Sequence, residues 1–317
     1  MKIEDKLEIV IPTFNRCEKL GITFSYLLSE NSPVKNCDIT ILDNCSTDDT
    51  PNLVKKIAEK HPNVKYRRNA RNIGVWENDL RGHEIASKEY LWKLGDNDTY
   101  DWTCWDQVEE AIENKADVIV MGYGTYSQRP KDLRIHVLIP GGVDVYPLLM
   151  WKNSNISDEI FRIARFYISN NFNTILGAIL INEKPDLDVF AVEKDIIKWV
   201  RISPEERLRD QSKLLAAFPN QYNTLFSLMV CKDVKLRNNA IRLYVDTGHF
   251  ASHIFTVDLS FSRDRILHAD AWRVFCLLSW KWRFYLLTVG YYGLFKKSMR
   301  KIVKKLWLFC IDLREHG

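Results

Sequence analysis

Several motifs that define common enzyme classes are missing from this sequence. It contains no Gly-x-x-x-x-Gly-Lys phosphate loop, no Gly-x-Gly-x-x-Gly dinucleotide fingerprint and no Gly-x-Ser-x-Gly nucleophile turn. Its seven cysteines include no Cys-x-x-Cys pair, which argues against a zinc site or a dithiol redox centre. An odd number of scattered cysteines predicts reduced thiols in a cytosolic protein.

The sequence also lacks the patterns of a secretory signal and of a membrane-spanning segment. The charged stretch Met1–Glu8 does not resemble a secretory signal, since only a few apolar residues follow it. Near the C-terminus the longest uncharged run, residues 284–295, has twelve residues and is too short to span a bilayer. With 46% hydrophobic residues the 317-residue chain can still bury a globular core, so wholesale disorder is excluded.

Charge is distributed unevenly between the body of the chain and its tail. Residues 271–317 carry ten Lys or Arg against two acidic residues, whereas the preceding 270 residues have a net charge of −4. Four tryptophans are interleaved with these basic residues, and Trp favours the lipid headgroup zone. We expect this tail to form helices that bind an anionic membrane surface peripherally, on its cytoplasmic side.

Two other interpretations of the tail are weaker. Its aromatic residues could pack on the rest of the protein and leave a solvated basic face. Nucleic acid is not expected as a partner, because no recognition motif accompanies the charge.

Apolar runs and helical spacing alternate along the first 125 residues. Short apolar runs predict strands at residues 7–11, 38–42, 64–67, 90–94 and 117–121. Helix-start signals and helical spacing predict helices at residues 17–28, 48–60, 76–87 and 101–114. This alternation is typical of βαβ units, so the predicted class is α/β with a mostly parallel sheet flanked by helices. Farther on, the sequence predicts a strand at residues 173–181 and a helix at 204–215.

Three clusters of polar residues follow three of the predicted strands. They are Pro12–Arg16, Asp43–Thr50 and Gly95–Asp98. Any one of them could be turn and helix-cap chemistry, for which Asp, Asn, Ser and Thr are the preferred residues. Because ligands bind at the carboxyl ends of parallel strands, three clusters at one sheet edge instead favour a single binding site.

The cluster Asp96-Asn97-Asp98 has the chemistry of a divalent metal site. Two carboxylates at positions i and i+2 can point at one hard cation such as Mg²⁺ or Mn²⁺, which fills its shell with water and phosphate oxygens. The alternative is that these acids cap a helix that begins near Asp101.

The motifs together resemble those of a known family. Ile-Pro-Thr-Phe-Asn-Arg (11–16), Leu-Asp-Asn-Cys-Ser-Thr-Asp-Asp-Thr (42–50), Arg-Asn-Ile-Gly (71–74) and Asp-Asn-Asp (96–98) resemble the family 2 glycosyltransferases with the GT-A fold. The stretch from Asn72 through Arg81 to Asp98 is similar to the bacterial O-antigen and capsule branch, which includes abequosyltransferase-like enzymes. The resemblance covers about residues 5–125.

The resemblance implies an activity and a division of the chain. Residues 1–125 would bind a nucleoside-diphosphate sugar with Mn²⁺ or Mg²⁺, residues 126–270 would form the acceptor side, and residues 271–317 would be the helical, basic-aromatic extension. The sugar would pass, with inversion, to a glycan or a polyprenyl-diphosphate-linked acceptor in surface polysaccharide synthesis. A nucleotidyltransferase and a non-catalytic nucleotide-sugar-binding module are the alternative functions.

The resemblance also implies roles for individual residues. Asp98 would bind the metal, Asp96 would lie near the ribose or the metal, and Asp43 would accept a hydrogen bond from the base. Further nucleotide-sugar contacts are implied for Pro12, Thr13, Asn15, Arg16, Arg71, Asn72, Gly74 and Asn97. The sequence departs from the family in one place, since Asn44 and Cys45 replace a second acid and a glycine.

Inversion requires a carboxylate base that removes the proton of the acceptor hydroxyl. In the family this base lies some way beyond the metal motif, and the candidates here are Glu193, Asp195, Glu205, Glu206 and Asp210. We favour Asp210, although a solvated helix face with a Glu205–Arg209 ion pair is the plainer interpretation of that segment. His249 and His253, four residues apart, are interpreted as structural rather than metal-binding.

Overall fold

The computed structural model describes residues 2–122, 129–139, 148–166, 172–199, 228 and 230–246. The chain divides into two compact units, Met1–Leu243 and Tyr244–Gly317, and nearly all described residues belong to the first. The predicted helix at 204–215 and the basic tail lie outside the described residues. The domain boundaries expected after residues 125 and 270 therefore stay predictions.

Strands and helices alternate along the first 120 residues, as the sequence predicts. In chain order they are α1 (Ile3–Lys6), β1 (Leu7–Thr13), α2 (Cys17–Leu27), β2 (Asp38–Asp43), α3 (Thr50–Lys60), β3 (Val64–Arg68), α4 (Val75–Glu84), β4 (Tyr90–Lys93), β5 (Asp98–Tyr100), α5 (Trp105–Glu113) and β6 (Val118–Val120). The later elements are α6 (Arg134–Leu138), β7 (Leu149–Lys152), a 3-10 turn (Asn153–Asn155), α7 (Asp158–Phe166), α8 (Phe172–Glu183), β8 (Val189–Ala191), β9 (Ile197–Trp199) and α9 (Val234–Asp246). Within the described ranges no helix is both long and apolar enough to cross a bilayer.

Seven of these strands form one sheet in the order β3-β2-β1-β4-β7-β6-β8. The pairs β1–β2, β1–β4, β2–β3 and β6–β8 are parallel, and β7 is antiparallel to both of its neighbours. Strands β6 and β8 therefore run in the same direction as β1 to β4. The sheet is mostly parallel, as predicted, and the carboxyl ends of six strands lie along one edge.

Other elements of the chain pack on both faces of the sheet. Because the strands are buried on both sides, their sequences are continuous apolar runs. On one face Ile9, Ile11 and Ile39 pack with residues of α2, α3 and α5 in the main core. On the other face Val10, Leu42 and Leu91 form a smaller cluster with residues that follow α4. The two layers of helices fix the strands and hence the positions at which their carboxyl-end loops begin.

A buried ion pair fastens α4 to the sheet. Lys93 Nζ lies 2.7 Å from Asp79 Oδ1, and both side chains are at most 2% exposed. Burial lowers the pKa of Lys93 and raises that of Asp79. Removing one partner of such a pair costs about 3–5 kcal/mol, because the other charge is left buried and uncompensated. This pair therefore holds α4, and the loop that precedes it, in one position against β4.

Two predicted elements are wrong in type or extent. Residues 173–181 lie in helix α8 rather than in a strand, and the buried residues Ile175, Leu176 and Ile179 show why: periodicity does not distinguish a buried helix from a buried strand. The helix predicted at 101–114 begins at Trp105, because residues 98–100 form β5 and pair with β9. Its N-cap is Cys104, so the helix-cap interpretation of Asp96 and Asp98 is also wrong.

Candidate functional site

The loops that follow β1 and β2 are joined by hydrogen bonds. Asn15 adopts a left-handed backbone (φ 53°), a conformation that Asn tolerates better than most residues. Its backbone N–H donates to Ser46 Oγ at 2.9 Å, and its side-chain oxygen accepts from the N–H of Thr47 at 2.7 Å. The first and second polar clusters of the sequence therefore form one unit.

Asp43, the last residue of β2, holds this pair of loops in place through hydrogen bonds from Ser46. Its carboxylate is fully buried, and its Oδ1 accepts hydrogen bonds from both the N–H and the hydroxyl of Ser46. Oδ2 accepts from the Tyr66 hydroxyl at 2.6 Å and lies 3.7 Å from Arg68 Nε. Burial, reinforced by the bond to Asp43, raises the pKa of Tyr66. The carboxylate is thus engaged by four protein groups.

Asn44 ties the segment Asn72–Gly74 to the end of β2. Its Nδ2 donates to Asn72 Oδ1 at 2.9 Å and to the carbonyl of Gly74 at 3.0 Å. Its Oδ1 accepts from the N–H of Ile73 at 2.9 Å and from Asn69 Nδ2 at 3.1 Å. A carboxylate has no N–H to donate to those two oxygens. This explains why an amide suits the position at which the family often has an acid.

The loop that follows β4 is joined to the end of β1. Thr13 Oγ1 donates to Asp96 Oδ2 at 2.7 Å. Burial raises the pKa of the Asp96 carboxyl, an effect that the positive charge of Arg16 and the bond from Thr13 oppose. The polar loops after β1, β2 and β4 therefore meet at one edge of the sheet.

Asp98 lies at the start of β5 and is 1% exposed. Its carboxylate folds back over Gly95, where an added Cβ would collide with Asp98 Oδ2. Its carbonyl oxygen accepts a hydrogen bond from the buried hydroxyl of Thr23, on α2, at 3.2 Å. A side chain at position 95 would therefore force the Asp98 carboxylate to shift.

An aromatic cluster supports this loop. The rings of Tyr100 and Trp102 stack with centroids 5.3 Å apart, and Trp92 packs edge-on against both. The Tyr100 hydroxyl is buried and makes no hydrogen bond to any described residue. Burial raises its pKa well above the usual value, and the charges of Asp98 and Asp96 add to this effect. Both carboxylates therefore lie within electrostatic reach of one buried hydroxyl.

These features fit a divalent cation that takes few protein ligands. In the described part of the chain, no group of three or more His, Cys, Asp or Glu side chains could hold a metal ion alone. Asp96 and Asp98 supply two carboxylates, and Asp98 Oδ2 lies against Gly95. Both carboxylates interact electrostatically with the buried Tyr100 hydroxyl, which makes no hydrogen bond to a described residue. Mg²⁺ and Mn²⁺ are commonly held by one or two carboxylates together with the phosphate oxygens of a ligand.

The remaining site residues from the sequence analysis either lie at the margin of these loops or fall outside the described residues. Pro12 is within β1, opposite Leu42 of β2, and Asn97 Oδ1 lies near Gly95. Arg71 is exposed beside Asn72. Asp210, Glu205, Glu206, His249 and His253 fall outside the described residues.

Two of the candidate bases lie on the same sheet edge as the polar loops. Glu193 and Asp195 follow β8, whose carboxyl end is at that edge, and both are exposed. An added Cβ at Gly122, just after β6, would lie 2.8 Å from Asp195 Oδ1. Their role in catalysis stays a prediction.

Sequence reasoning missed the residues that hold the loops together. Asn69 donates to Asn78 Oδ1 at 2.7 Å, and Asn78 donates to the carbonyl of Leu42 at 2.9 Å. Tyr66 and Arg68 contact Asp43 from the neighbouring strand. The sequence does carry a signal for Tyr66 and Arg68, because they are two residues apart on β3 and such residues point to the same face of the sheet.

The fold is that of the GT-A class, as predicted. Residues 8–174, more than half of the chain, match the profile of Glycosyl transferase family 2. The chain therefore belongs to glycosyl transferase family 2.

Two relatives from bacteria share part of this region. The poly(ribitol-phosphate) β-N-acetylglucosaminyltransferase TarP of Staphylococcus aureus is 29% identical over 122 residues, which are 38% of this chain and 37% of TarP. The abequosyltransferase RfbV of Salmonella typhimurium is 26% identical over 113 residues, 35% of this chain and 34% of RfbV. The matched part is thus little more than a third of each relative.

Solved structures share the fold over a longer range. Residues 1–349 of S. aureus TarS superpose with a TM-score of 0.56 at 13% identity, covering 91% of this chain and 86% of that chain. The same protein in complex with UDP-GlcNAc gives a TM-score of 0.58, covering 91% and 87%. At this identity the likeness shows the fold alone.

The strained backbone of Cys45 is expected to lower the stability of the protein. Cys45 has φ 66°, a left-handed conformation that costs a side chain about 1–2 kcal/mol and glycine almost nothing. We expect C45G to raise the free energy of unfolding by about 1 kcal/mol, measured by urea denaturation. C45A, which removes the thiol but keeps the Cβ, is the control and should stay within about 0.5 kcal/mol of the wild type. A C45G protein less stable than C45A would show that the strain is not relieved.

Proposed function

We propose that this protein is a glycosyltransferase that moves a sugar from a nucleoside-diphosphate sugar to a glycan or lipid-linked glycan of the bacterial surface. Membership of family 2 supports a glycosyltransferase over a nucleotidyltransferase or a binding module. The names of TarP and RfbV describe sugar transfer, and the TarS structure holds UDP-GlcNAc. The observation that carries the proposal is the hydrogen bonding of three strand-end loops into one site.

The strand order suggests how the donor lies. The carboxylates of Asp96 and Asp98 follow β4, and the other polar loops follow β1, β2 and β3 in that spatial order. Adjacent strands are about 4.8 Å apart, so this row spans about 14 Å, within the reach of an extended nucleoside diphosphate. The diphosphate would lie near Arg16 and the carboxylates, and the nucleoside would extend toward β2 and β3.

Asp96 and Asp98 would hold Mn²⁺ or Mg²⁺ together with the diphosphate oxygens. When bound, the cation supplies charge neutralisation for the leaving diphosphate. Thr13 orients Asp96 through its hydroxyl. Because Gly95 has no side chain, the Asp98 carboxylate can lie against its backbone. Arg16 adds a fixed positive charge beside Asp96. The cation and Arg16 would favour departure of the nucleoside diphosphate, because their positive charges are in place before the bond breaks.

Transfer with inversion requires one displacement step. The acceptor oxygen would form a bond to the anomeric carbon as the bond from that carbon to the diphosphate oxygen breaks. A carboxylate base removes the proton of the acceptor hydroxyl in this step. We propose Asp210 for this role, with Asp195, at the same sheet edge as the donor loops, as the alternative.

Substitution of Asp98 tests the donor site. We expect D98N to keep the fold, since Asn is nearly isosteric, and to weaken Mn²⁺-dependent binding of UDP at least about tenfold by calorimetry. Sugar transfer from UDP-GlcNAc, or from the donor identified by screening, should be lost. D101N is the matched control, because Asp101 pairs with the exposed Lys198 at 2.8 Å. Wild-type transfer by D98N would contradict the proposed role.

The assignment of the base makes a separate prediction. We expect D210N to lower kcat by about 10²–10⁴-fold while the affinity for the donor stays unchanged. E205Q, in the same predicted helix, should retain activity. A loss of kcat confined to D195N would instead assign the base to Asp195 and refute the proposal for Asp210.

Membrane association is proposed for residues 271–317 from their charge and aromatic content. Each basic residue near an anionic leaflet contributes about 1 kcal/mol, so replacing Lys296, Lys297 and Lys301 with Gln should weaken binding to anionic vesicles about a hundredfold at low salt. Replacing the exposed Lys55, Lys56 and Lys60 of α3 is the charge-matched control. Equal effects of the two triple variants in vesicle sedimentation would show that net charge, not the tail, governs binding.

A further inference from the structure

We infer that Tyr100 is a positioning residue for the cation site: its buried hydroxyl donates a hydrogen bond to the Asp98 carboxylate when that carboxylate binds a divalent cation. The inference rests on the proposed function, because it concerns a side chain that supports the same donor site. It gives a role to a residue that lies outside the acidic cluster Asp96–Asp98 and that no motif in the sequence singles out.

Strand β5 places Tyr100 beside Asp98. These two are the last and first residues of β5, and both are buried, whereas Thr99 between them is half-buried. Residues two apart on a strand point to the same face. The Tyr100 ring and the Asp98 carboxylate therefore share the inner face of β5, and the hydroxyl interacts electrostatically with Asp98 and Asp96.

Neighbouring rings fix the position of the Tyr100 hydroxyl. The Tyr100 ring stacks on Trp102 with centroids 5.3 Å apart and meets the fully buried Trp92 edge-on at 5.9 Å. Only 5% of Tyr100 is exposed. A ring that is held in this way cannot carry its hydroxyl to bulk water. An acceptor for this hydroxyl therefore has to lie in the loop around it.

The Tyr100 hydroxyl lowers stability as long as it has no partner. It is buried and makes no hydrogen bond to a described residue. Taking a hydroxyl out of water without a replacement bond is unfavourable, and Phe would fill nearly the same space without this cost. Buried polar groups without a partner are few in native proteins, and a bound ion or a functional role is a common explanation. A hydroxyl at this position points to a partner that becomes available with the ligand.

Asp98 is the acceptor that fits. A tyrosine hydroxyl donates and an ionised carboxylate accepts, and of the two neighbouring carboxylates Asp98 acts more strongly on this hydroxyl. Asp96 already accepts a hydrogen bond from Thr13 at 2.7 Å. Carboxylates that bind metal ions are usually oriented by hydrogen bonds from neighbouring groups. With Tyr100 on Asp98 and Thr13 on Asp96, one hydroxyl would orient each carboxylate.

A purely structural role for Tyr100 predicts a different result. If Tyr100 only packs against the tryptophans, Y100F keeps the ring and should leave cation binding unchanged. If the hydroxyl orients Asp98, Y100F should weaken cation binding although the protein without the cation becomes no less stable. The opposite directions of these two effects distinguish positioning from packing.

The experiment measures two quantities for the wild type, Y100F and Y90F. One is Kd for Mn²⁺ by calorimetry in the presence of saturating UDP, and the other is the urea midpoint without Mn²⁺. Y90F is the matched control, since the buried Tyr90 hydroxyl at the start of β4 donates to the carbonyl of Ala116 at 2.7 Å.

We expect Y100F to weaken Mn²⁺ binding at least about tenfold, with a urea midpoint at or above that of the wild type. Y90F should show the reverse pattern. Its urea midpoint should fall because the Ala116 carbonyl loses its partner, and its Kd for Mn²⁺ should stay within about twofold of the wild type.

Other outcomes contradict the inference. A Kd for Mn²⁺ in Y100F within about twofold of the wild type would overturn the role of Tyr100 while leaving the glycosyltransferase proposal standing. A Y100F protein that has a lower urea midpoint or does not fold would also overturn it, because the hydroxyl would then already have a partner. A wild-type protein that binds no Mn²⁺ with UDP, CDP, GDP or ADP would overturn the cation site of the proposed function itself.

Discussion

The hydrogen bonds that join the loops after β1, β2 and β4 are the interaction on which the site depends. Parallel strands bring the loop starts to one edge, but loops of three to six residues can still point in several directions. The bond from Thr13 to Asp96 ties the loop after β4 to the end of β1, and the bond from Asn15 to Ser46 ties the loops after β1 and β2 to each other. Both bonds reduce that freedom. The polar cluster is thus preorganised before any ligand arrives, which lowers the entropy lost on binding.

Buried polar groups support these loops at some cost in stability. Asp43, Asn44, Asn69 and Asn78 are all at most 5% exposed, and each is hydrogen-bonded. An apolar core in their place would avoid the desolvation of these groups but would leave the loops untethered. The left-handed residues Asn15 and Cys45 fall in the same two loops. Strain and buried polarity together at one sheet edge are typical of a functional site.

The sequence predicted the parallel half of the sheet because both faces of those strands are buried, as Ile9 and Val10 on opposite faces of β1 show. It predicted the clustering of Thr13, Asn15, Asp43, Asp96 and Asp98 because the direction of parallel strands determines where loops lie. It did not predict β5, since Asp98 and Tyr100 pair with β9 almost 100 residues later, and no local pattern reveals that partner. It also failed at α8, whose residues are apolar on every side.

The central claim is that loops distant in sequence bind one nucleoside diphosphate together. Hydrogen–deuterium exchange with and without UDP and Mn²⁺ tests this at the backbone. Exchange should slow in concert at residues 12–17, 43–48, 70–76 and 94–99, because a shared ligand orders all four segments. Slowing confined to a single segment, or absent from all of them under saturating ligand, would contradict the claim.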